Sequence, residues 1–572
     1  MPGYAVVSVP VIAATGNPVA AHNVLLLLSH VAAALGATAL AARLVGRLPA
    51  ALVAGAAFAF APRLLDEAYN VQTLAVGWFP WLLLAVDCFL ARPTGPRAAL
   101  AAGVWVWLAL ASLNVFVYAT VLTAVFGVAA VTVGRRPLGR AHLVPMAAAG
   151  ALALAVLVWG VLAPNRALVR EWGLTRALAE VERYSASLGD VVGLPRERLL
   201  RHLAGLDPGP AHTGLAPGVA VLVLAAAGLV AVARDREGRR AALAPYLATW
   251  AAALVLAAGP TLATPWGRLP LPYRLLYLAV PGFSASRTPV RFLVFVELGT
   301  ALLAAAGAAW WLAARPPGRR PWLAAGLLAV VLAESVAVPY PGAVPRLDPA
   351  TLPAVYRWLA TQPPDTVALG IPPGDWSNIA AAAFHLRRTV NGWSSYLPPH
   401  YAALADAMES FPDARSLALA RGAGVDLVLV DRQWVTPARA AALDAAGPVL
   451  HPLRAFPTHL VFRLERDAAG LAALEAGAWR APGRLCLRLF NPGPAPVPLY
   501  PLHRLHLGVE GTRVTLVRWL PLALDPAAAH TTCVPAGPAE GARVVGEVED
   551  GVRAYRFAVV PDGPAVRLAA AR

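Results

Sequence analysis

Two arginines four positions apart, Arg287 and Arg291, stand in the run Ser284-Ala285-Ser286-Arg287-Thr288-Pro289-Val290-Arg291-Phe292, which leads straight into the apolar stretch Leu293 to Trp311. A guanidinium keeps its charge at every working pH, and its planar fork grips a phosphate through two parallel hydrogen bonds. A pair of them at the mouth of an apolar helix is chemistry for an anionic headgroup at a membrane surface. A second constellation is the adjacent pair Asp66 and Glu67, in the segment Arg63 to Val71. Neighbouring carboxylates bind a divalent ion such as Mg or Mn, or take a proton from a sugar hydroxyl. An ordinary polar turn uses the same residues, and a two-residue motif recurs often by chance. A third is the loop Asn391-Gly392-Trp393-Ser394-Ser395-Tyr396, beside Gly370 to Ser377. Asn391, Trp393 and Tyr396 suit stacking on a sugar with hydroxyl recognition. They suit equally a loop packed on a domain core.

Three acids, Asp87, Glu297 and Glu334, interrupt apolar segments, where charge is costly and needs a partner. Arg92 is the expected partner of Asp87. Glu297, roughly one and a half turns below Arg291, is expected to make an interhelical hydrogen bond or to brace the arginine mouth. Of the cysteines, Cys88 lies in an apolar segment, and Cys486 and Cys533 lie in the C-terminal part. Outside the cytoplasm those two could form a disulfide; two free buried thiols are the alternative. His503 and His506 have no further ligand nearby and suggest no metal site. Phosphate-binding glycine loops, Gly-x-Ser-x-Gly elbows and zinc spacings are all missing.

The elements that position these residues are set by the apolar pattern. The 572-residue chain is 58% hydrophobic and only 14% charged, with mean hydropathy +0.59, and its apolar segments crowd the first 338 residues. That defines a polytopic membrane protein with a soluble C-terminal part. The formal charge is +16, carried by arginine with no lysine. Much of this arginine sits in short connections between apolar segments, where it sets orientation, so nucleic acid is not the expected partner. Ten candidate spans read as 19–42, 49–62, 72–91, 98–112, 115–133, 143–163, 215–233, 242–260, 293–314 and 321–338. Arginines mark every second connection: Arg43 and Arg47, Arg92 and Arg97, Arg135 to Arg140, Arg234 to Arg240, and Arg315 to Arg320. The positive-inside rule makes these cytoplasmic and turns 63–71, 113–114, 164–214, 261–292 and all that follows 338 outward. In 164–214, Trp172 to Tyr184 reads as a surface helix. In 261–292, Trp266, Tyr273, Tyr277 and Phe283 read as interface anchors.

The first basic residue is Arg43, so no charged leader precedes the first apolar run. That run, Tyr4 to Thr15, contains Pro10 and at about 18 Å is too short to span; it reads as a half-helix. With this phase the N-terminus lies outside, and the expectation is that an upstream helix and its outer loop belong before it.

Beyond the prolines at 339, 341, 345 and 349, strands at 366–371, 425–430 and 459–464 alternate with helices near 355–361, 411–420 and 437–446. This pattern favours a parallel or mixed sheet with helices packed on it. From 470 onward, short strand-like runs between Pro and Gly turns read as a small β-sandwich. The domain reading is 1–338, 339–469 and 470–572.

Taken in order, Gly16-Asn17-Pro18-Val19-Ala20-Ala21-His22-Asn23, Ala50 to Pro62, Trp78-Phe79-Pro80-Trp81, Pro281-Gly282-Phe283, Arg287 to Phe292, Val355-Tyr356-Arg357-Trp358-Leu359 and Asn391-Gly392-Trp393 resemble bacterial multi-pass proteins of the GT-C glycosyltransferase type, in particular the YfhO-like membrane proteins. The resemblance covers about 16–465. It implies a GT-C-like helical membrane domain of about ten spans, followed by an extracytoplasmic α/β unit and a β-sandwich, in the bacterial cytoplasmic membrane. It implies transfer of a sugar from a polyprenyl-phosphate donor to a glycan, lipid or protein acceptor on the outer face. Arg287 and Arg291 would meet the lipid phosphate, and Asp66 and Glu67 would act as base or metal ligands. The first outer loop, where such enzymes carry an acidic residue, has no counterpart in this sequence. A non-catalytic envelope scaffold and a lipid or polysaccharide transporter are the rival readings; a transporter calls for paired internal repeats, and no convincing repeat is visible.

Overall fold

The computed structural model describes residues 2–66, 70–134, 136, 138–163, 175–192, 217–234, 239–280, 282–336, 352–374, 376–392, 399–465, 473–482, 484–498, 504–509, 512–519, 523–535, 544–549 and 554–570. The chain divides into two compact units, Met1–Pro345 and Arg346–Arg572.

The first unit is a helical bundle with the make-up of a multi-pass membrane protein. Five helices are long and apolar enough to cross a bilayer: Pro18–Val45, Val71–Ala91, Leu113–Thr132, Arg140–Val161 and Pro289–Ala313. The other expected spans are shorter helices: Leu48–Ala59, Gly95–Ala111, Val219–Arg234, Arg239–Ala257 and Arg320–Ser335. Leu48–Ala59 is the shortest of them. Its 12 residues rise only about 18 Å against roughly 30 Å of hydrocarbon. From Ala50 to Ala59 every residue but Leu52 is buried, so it is apolar all round because protein surrounds it.

Local chemistry sets the helix ends. The Asn17 side chain accepts from Val19 and Ala20 N–H at 2.9 and 3.4 Å, with Pro18 opening the helix and Gly46 closing it at φ +65°. Trp81 donates its indole N–H to Ala32 O at 2.9 Å, crossing where Gly36 leaves room: a Cβ there would lie 2.7 Å from the indole nitrogen. Two further glycines let helices touch. A Cβ on Gly307 would sit 1.9 Å from Leu224 O, and one on Gly228 would sit 2.0 Å from Leu303 O.

The helix ends sort into two sets. Arg43, Asp87 and Arg136 meet in an ion cluster, with Arg136 Nη2 at 2.7 Å from Asp87 Oδ1 and Arg43 Nε on Oδ2. Asp87 therefore pairs with Arg43 and Arg136, where the sequence suggests Arg92. The backbone carbonyl of Arg92 instead accepts from Arg97 at 3.1 Å. His142 reaches Leu90 O at 3.2 Å, so three arginine-bearing connections converge there. The opposite end of Leu113–Thr132 packs against the segment that carries Arg287.

In the second unit, five strands form one mixed sheet in the order Arg388–Thr389, Val367–Ile371, Leu427–Asp431, His459–Leu464, Leu450–Ala455. The first three are parallel and the last two antiparallel. Helix bounds shift from the sequence reading where caps intervene. The second helix begins at Ala414 because Asp413 accepts Ser416 N–H at 2.7 Å, and the first begins at Ala354 after Pro353.

Among the described residues the C-terminal region holds antiparallel sheets of five and of four strands, and a two-stranded pair of Val497–Pro498 with Ala523–Leu524. Cys486 and Cys533 face each other on neighbouring strands of the four-stranded sheet and are joined by a disulfide. Arg415 of the helix Ala414–Gly422 pairs with Asp525 at 2.7 Å.

Candidate functional site

Gly282 has φ +93°, a left-handed turn that opens the segment carrying both candidate arginines. One 3₁₀ turn, Phe283–Ala285, and a second, Pro289–Phe292, flank the extended residues Ser286 to Thr288, and the helix Leu293–Ala313 follows without a break. Phe283 and Phe292 are both fully buried. Tyr118 stacks on Phe292 at 4.2 Å, and Tyr273 meets Phe283 edge-on at 5.5 Å. Tyr273 and Phe283 are thus core residues, and burial raises the Tyr273 pKa far above that of an ordinary phenol. Among the four aromatic residues expected as anchors, Trp266 is the exposed one, at 92%.

Between its buried ends the segment is held by hydrogen bonds. The Ser286 hydroxyl donates to Asn114 Oδ1 at 3.0 Å and bonds the Tyr118 hydroxyl, which also donates to Thr288 O at 3.3 Å. Val290 N–H donates to Tyr184 O at 3.2 Å, and Arg176 N–H to Ser284 O at 2.8 Å. So residues 176–184 form the wall facing the arginines. The expected surface helix is present only as Leu178–Arg183; Trp172 lies outside the described residues.

Arg287 is about one-third exposed; its Nη1 lies 3.4 Å from Glu180 Oε1, and its guanidinium lies 5.2 Å over the Tyr184 ring. Arg291 is half-buried in the second 3₁₀ turn. Below it, buried Glu297 accepts the Arg63 N–H at 2.9 Å. That is the interhelical hydrogen bond expected for this acid. It ties the start of Leu293–Ala313 to the short helix Pro62–Asp66. Asp66 closes that helix, although its side chain lies outside the described residues, as does all of Glu67. Glu334 has a capping role: its Oε2 accepts Ala220 N–H at 2.9 Å, where Gly218 turns at φ +117°.

The structure therefore brings the Arg291 element and the Asp66 element to one place. The third constellation belongs to the second unit. Asn391 is buried and makes four hydrogen bonds there. Its Oδ1 accepts from Gly370 N–H at 2.7 Å and Thr389 Oγ1 at 3.1 Å; its Nδ2 donates to Gly370 O at 2.8 Å and Pro373 O at 3.3 Å. An amide has two acceptor and two donor places, so Asn391 is a bracket for the end of a strand and has nothing left for a sugar. Trp393 and Tyr396 lie outside the described residues. The contribution missing from the sequence reading is Glu180. Its mixed-charge setting gave no signal, and its partner Arg287 is 107 residues away.

No family model matches the chain, and no curated protein matches it. Solved structures are similar to it at low identity, two of them of one protein. ArnT from Cupriavidus metallidurans bound to undecaprenyl phosphate is 14% identical, with 81% of this chain and 87% of that one covered and a TM-score of 0.46. The same protein in the apo state is 16% identical at the same coverage, with a TM-score of 0.38.

Proposed function

We propose that this chain is a membrane glycosyltransferase of the GT-C, YfhO-like type. It takes a sugar from a polyprenyl-phosphate carrier on the outer face of a bacterial cytoplasmic membrane and gives it to a cell-envelope glycan, lipid or protein. The observation that carries the reading is the hydrogen bond from Arg63 N–H to buried Glu297. It fixes an acid-bearing helix end against the arginine-bearing mouth of an apolar helix, so base and phosphate clamp share one end of the bundle. In transfer, an acceptor hydroxyl attacks the anomeric carbon and the carrier phosphate departs with its charge. Arg287 and Arg291 meet that charge as it develops, and Asp66 takes the hydroxyl proton. Adjacent hard carboxylates fit Mg or Mn, and Asp66 and Glu67 are the residues that would hold such an ion; bound there, it would neutralise phosphate charge. Among the described residues there is no group of three or more acids, histidines or cysteines that could hold a metal.

The test is transfer in proteoliposomes supplied with polyprenyl-phosphate-linked sugars. Arg291→Ala and Asp66→Asn should each lower turnover by about a hundredfold or more, while Asp66→Asn keeps carrier binding. Unchanged transfer after replacing Asp66, Glu67, Arg287 and Arg291 together sinks the proposal and favours a non-catalytic scaffold.

A further inference from the structure

Glu180 Oε1 receives two guanidinium groups at once, Arg176 Nη1 at 3.2 Å and Arg287 Nη1 at 3.4 Å. Each arginine is mounted on a fixed support. Arg176 donates its N–H to Ser284 O at 2.8 Å and accepts the Tyr277 hydroxyl on its carbonyl at 2.5 Å. Arg287 follows the Ser286 anchor and lies over Tyr184. The Glu180 helix has a second tether in Glu182, which pairs with Arg268 at 2.7 Å and accepts from Thr261 Oγ1 at 2.9 Å.

We propose that Arg176 and Arg287 form a two-arginine anion site which Glu180 fills in the free protein, and that a phosphate monoester displaces this carboxylate. This rests on the function proposed above and adds Arg176 to the phosphate clamp. Charge and shape both favour the exchange. Only one oxygen of the Glu180 carboxylate is engaged by the two guanidinium groups. A phosphate monoester carries about −1.5 to −2 at neutral pH and three acceptor oxygens, enough to take both arginine forks side by side. Glu180 then acts as a stand-in that keeps two close cations from repelling each other until the ligand arrives.

The experiment measures binding to the full-length protein in nanodiscs, using polyprenyl monophosphate, inorganic phosphate and neutral polyprenol as probes. Glu180→Gln is nearly isosteric and removes only the competing charge, so it should bind polyprenyl monophosphate about fivefold more tightly, the reach of one partly exposed ion pair. Arg176→Ala and Arg287→Ala should each weaken it about tenfold. Polyprenol should respond to none of them. Inorganic phosphate following the same order supports the site as a receptor for phosphate itself; response from the lipid monophosphate alone supports it as a headgroup site. Equal or weaker binding by Glu180→Gln, or unchanged binding by Arg176→Ala, overturns the inference. If wild type binds the lipid monophosphate and Arg287→Ala and Arg291→Ala weaken it while Arg176→Ala does not, this inference falls and the proposed function stands. If neither wild type nor Glu180→Gln binds it, both fall.

Discussion

Asp87 has almost no solvent contact, and its two cationic partners come from helix ends 44 and 49 residues away. Removing one member of a buried charge set leaves the others uncompensated, at a cost of about 3–5 kcal/mol. Asp87→Ala should therefore lower the thermal midpoint in detergent far more than Arg43→Ala, whose side chain is about one-third exposed; equal shifts would show that the cluster is not a buried lock. A second residue-scale prediction concerns His385. Arg387 N–H donates to its Nδ1 at 3.0 Å, which requires that nitrogen unprotonated. Burial, with the Arg387 charge adding to it, lowers the His385 pKa from 6.5 to about 4. The folded value lies below the unfolded one, so the unfolded chain binds the proton first. The contribution of His385 is full above about pH 6.5 and is lost as pH falls toward 4, by up to about 3 kcal/mol. Unfolding of the second unit followed across that window should show the slope in wild type and lose it in His385→Gln. Such partners were illegible in the sequence for one reason: Arg92 is near Asp87 along the chain, but a helix end chooses partners in space. Glu297 was legible because a lone acid in an apolar helix must be satisfied by a neighbouring helix.

At the scale of elements, every expected span falls on a helix, because a continuous apolar run of that length has few other ways to satisfy its backbone. Which of those helices cross a bilayer was not legible. Leu48–Ala59 is as apolar as any span, and only its packing separates a core helix from a lipid-facing one. Helix crossings were equally hidden, since a glycine in an apolar run looks the same whether it faces lipid or backbone. Gly307 and Gly228 face backbone: each Cβ would lie about 2 Å from a carbonyl oxygen of the other helix. Gly307→Ala must push Val219–Arg234 off Leu293–Ala313, and should destabilise the bundle by about 1–3 kcal/mol or more. Gly326, within Arg320–Ser335, has nothing within 4 Å of its Cβ. There the change to alanine should stabilise by about 0.5–1 kcal/mol, since only helix propensity is altered. Thermal unfolding of the two variants should move in opposite directions, and a shift of the same sign in both would refute the close crossing.

For the whole molecule, the two sets of helix ends give the arginine pattern its meaning. Leu113–Thr132 runs from the Ser286 anchor at Asn114 to Arg136, just past its other end, which joins Arg43 at Asp87. Ser286 and Asp87 thus mark opposite ends of one helix of 20 residues, about 30 Å long, enough to separate two membrane faces. Three of the arginine connections meet at the Asp87 end, and the proposed site lies at the other. The positive-inside rule makes the outer face the expectation for the proposed site. A disulfide such as Cys486–Cys533 persists in oxidising compartments. A 47-residue separation between the cysteines corresponds to about 4 kcal/mol of loop-closure stabilisation, which reduction should withdraw. Labelling tests the orientation directly. Trp266→Cys, at the exposed tip of a hairpin on the site end, should react with a membrane-impermeant maleimide on intact cells. Arg140→Cys, beside the Asp87 end, should react only after permeabilisation. Wild type controls for Cys88, which is half-buried and the one free cysteine of the three. Labelling of both variants from the same side would place the arginine mouth and the arginine-rich connections on one face. The carrier-facing reading would then lose the asymmetry on which it depends.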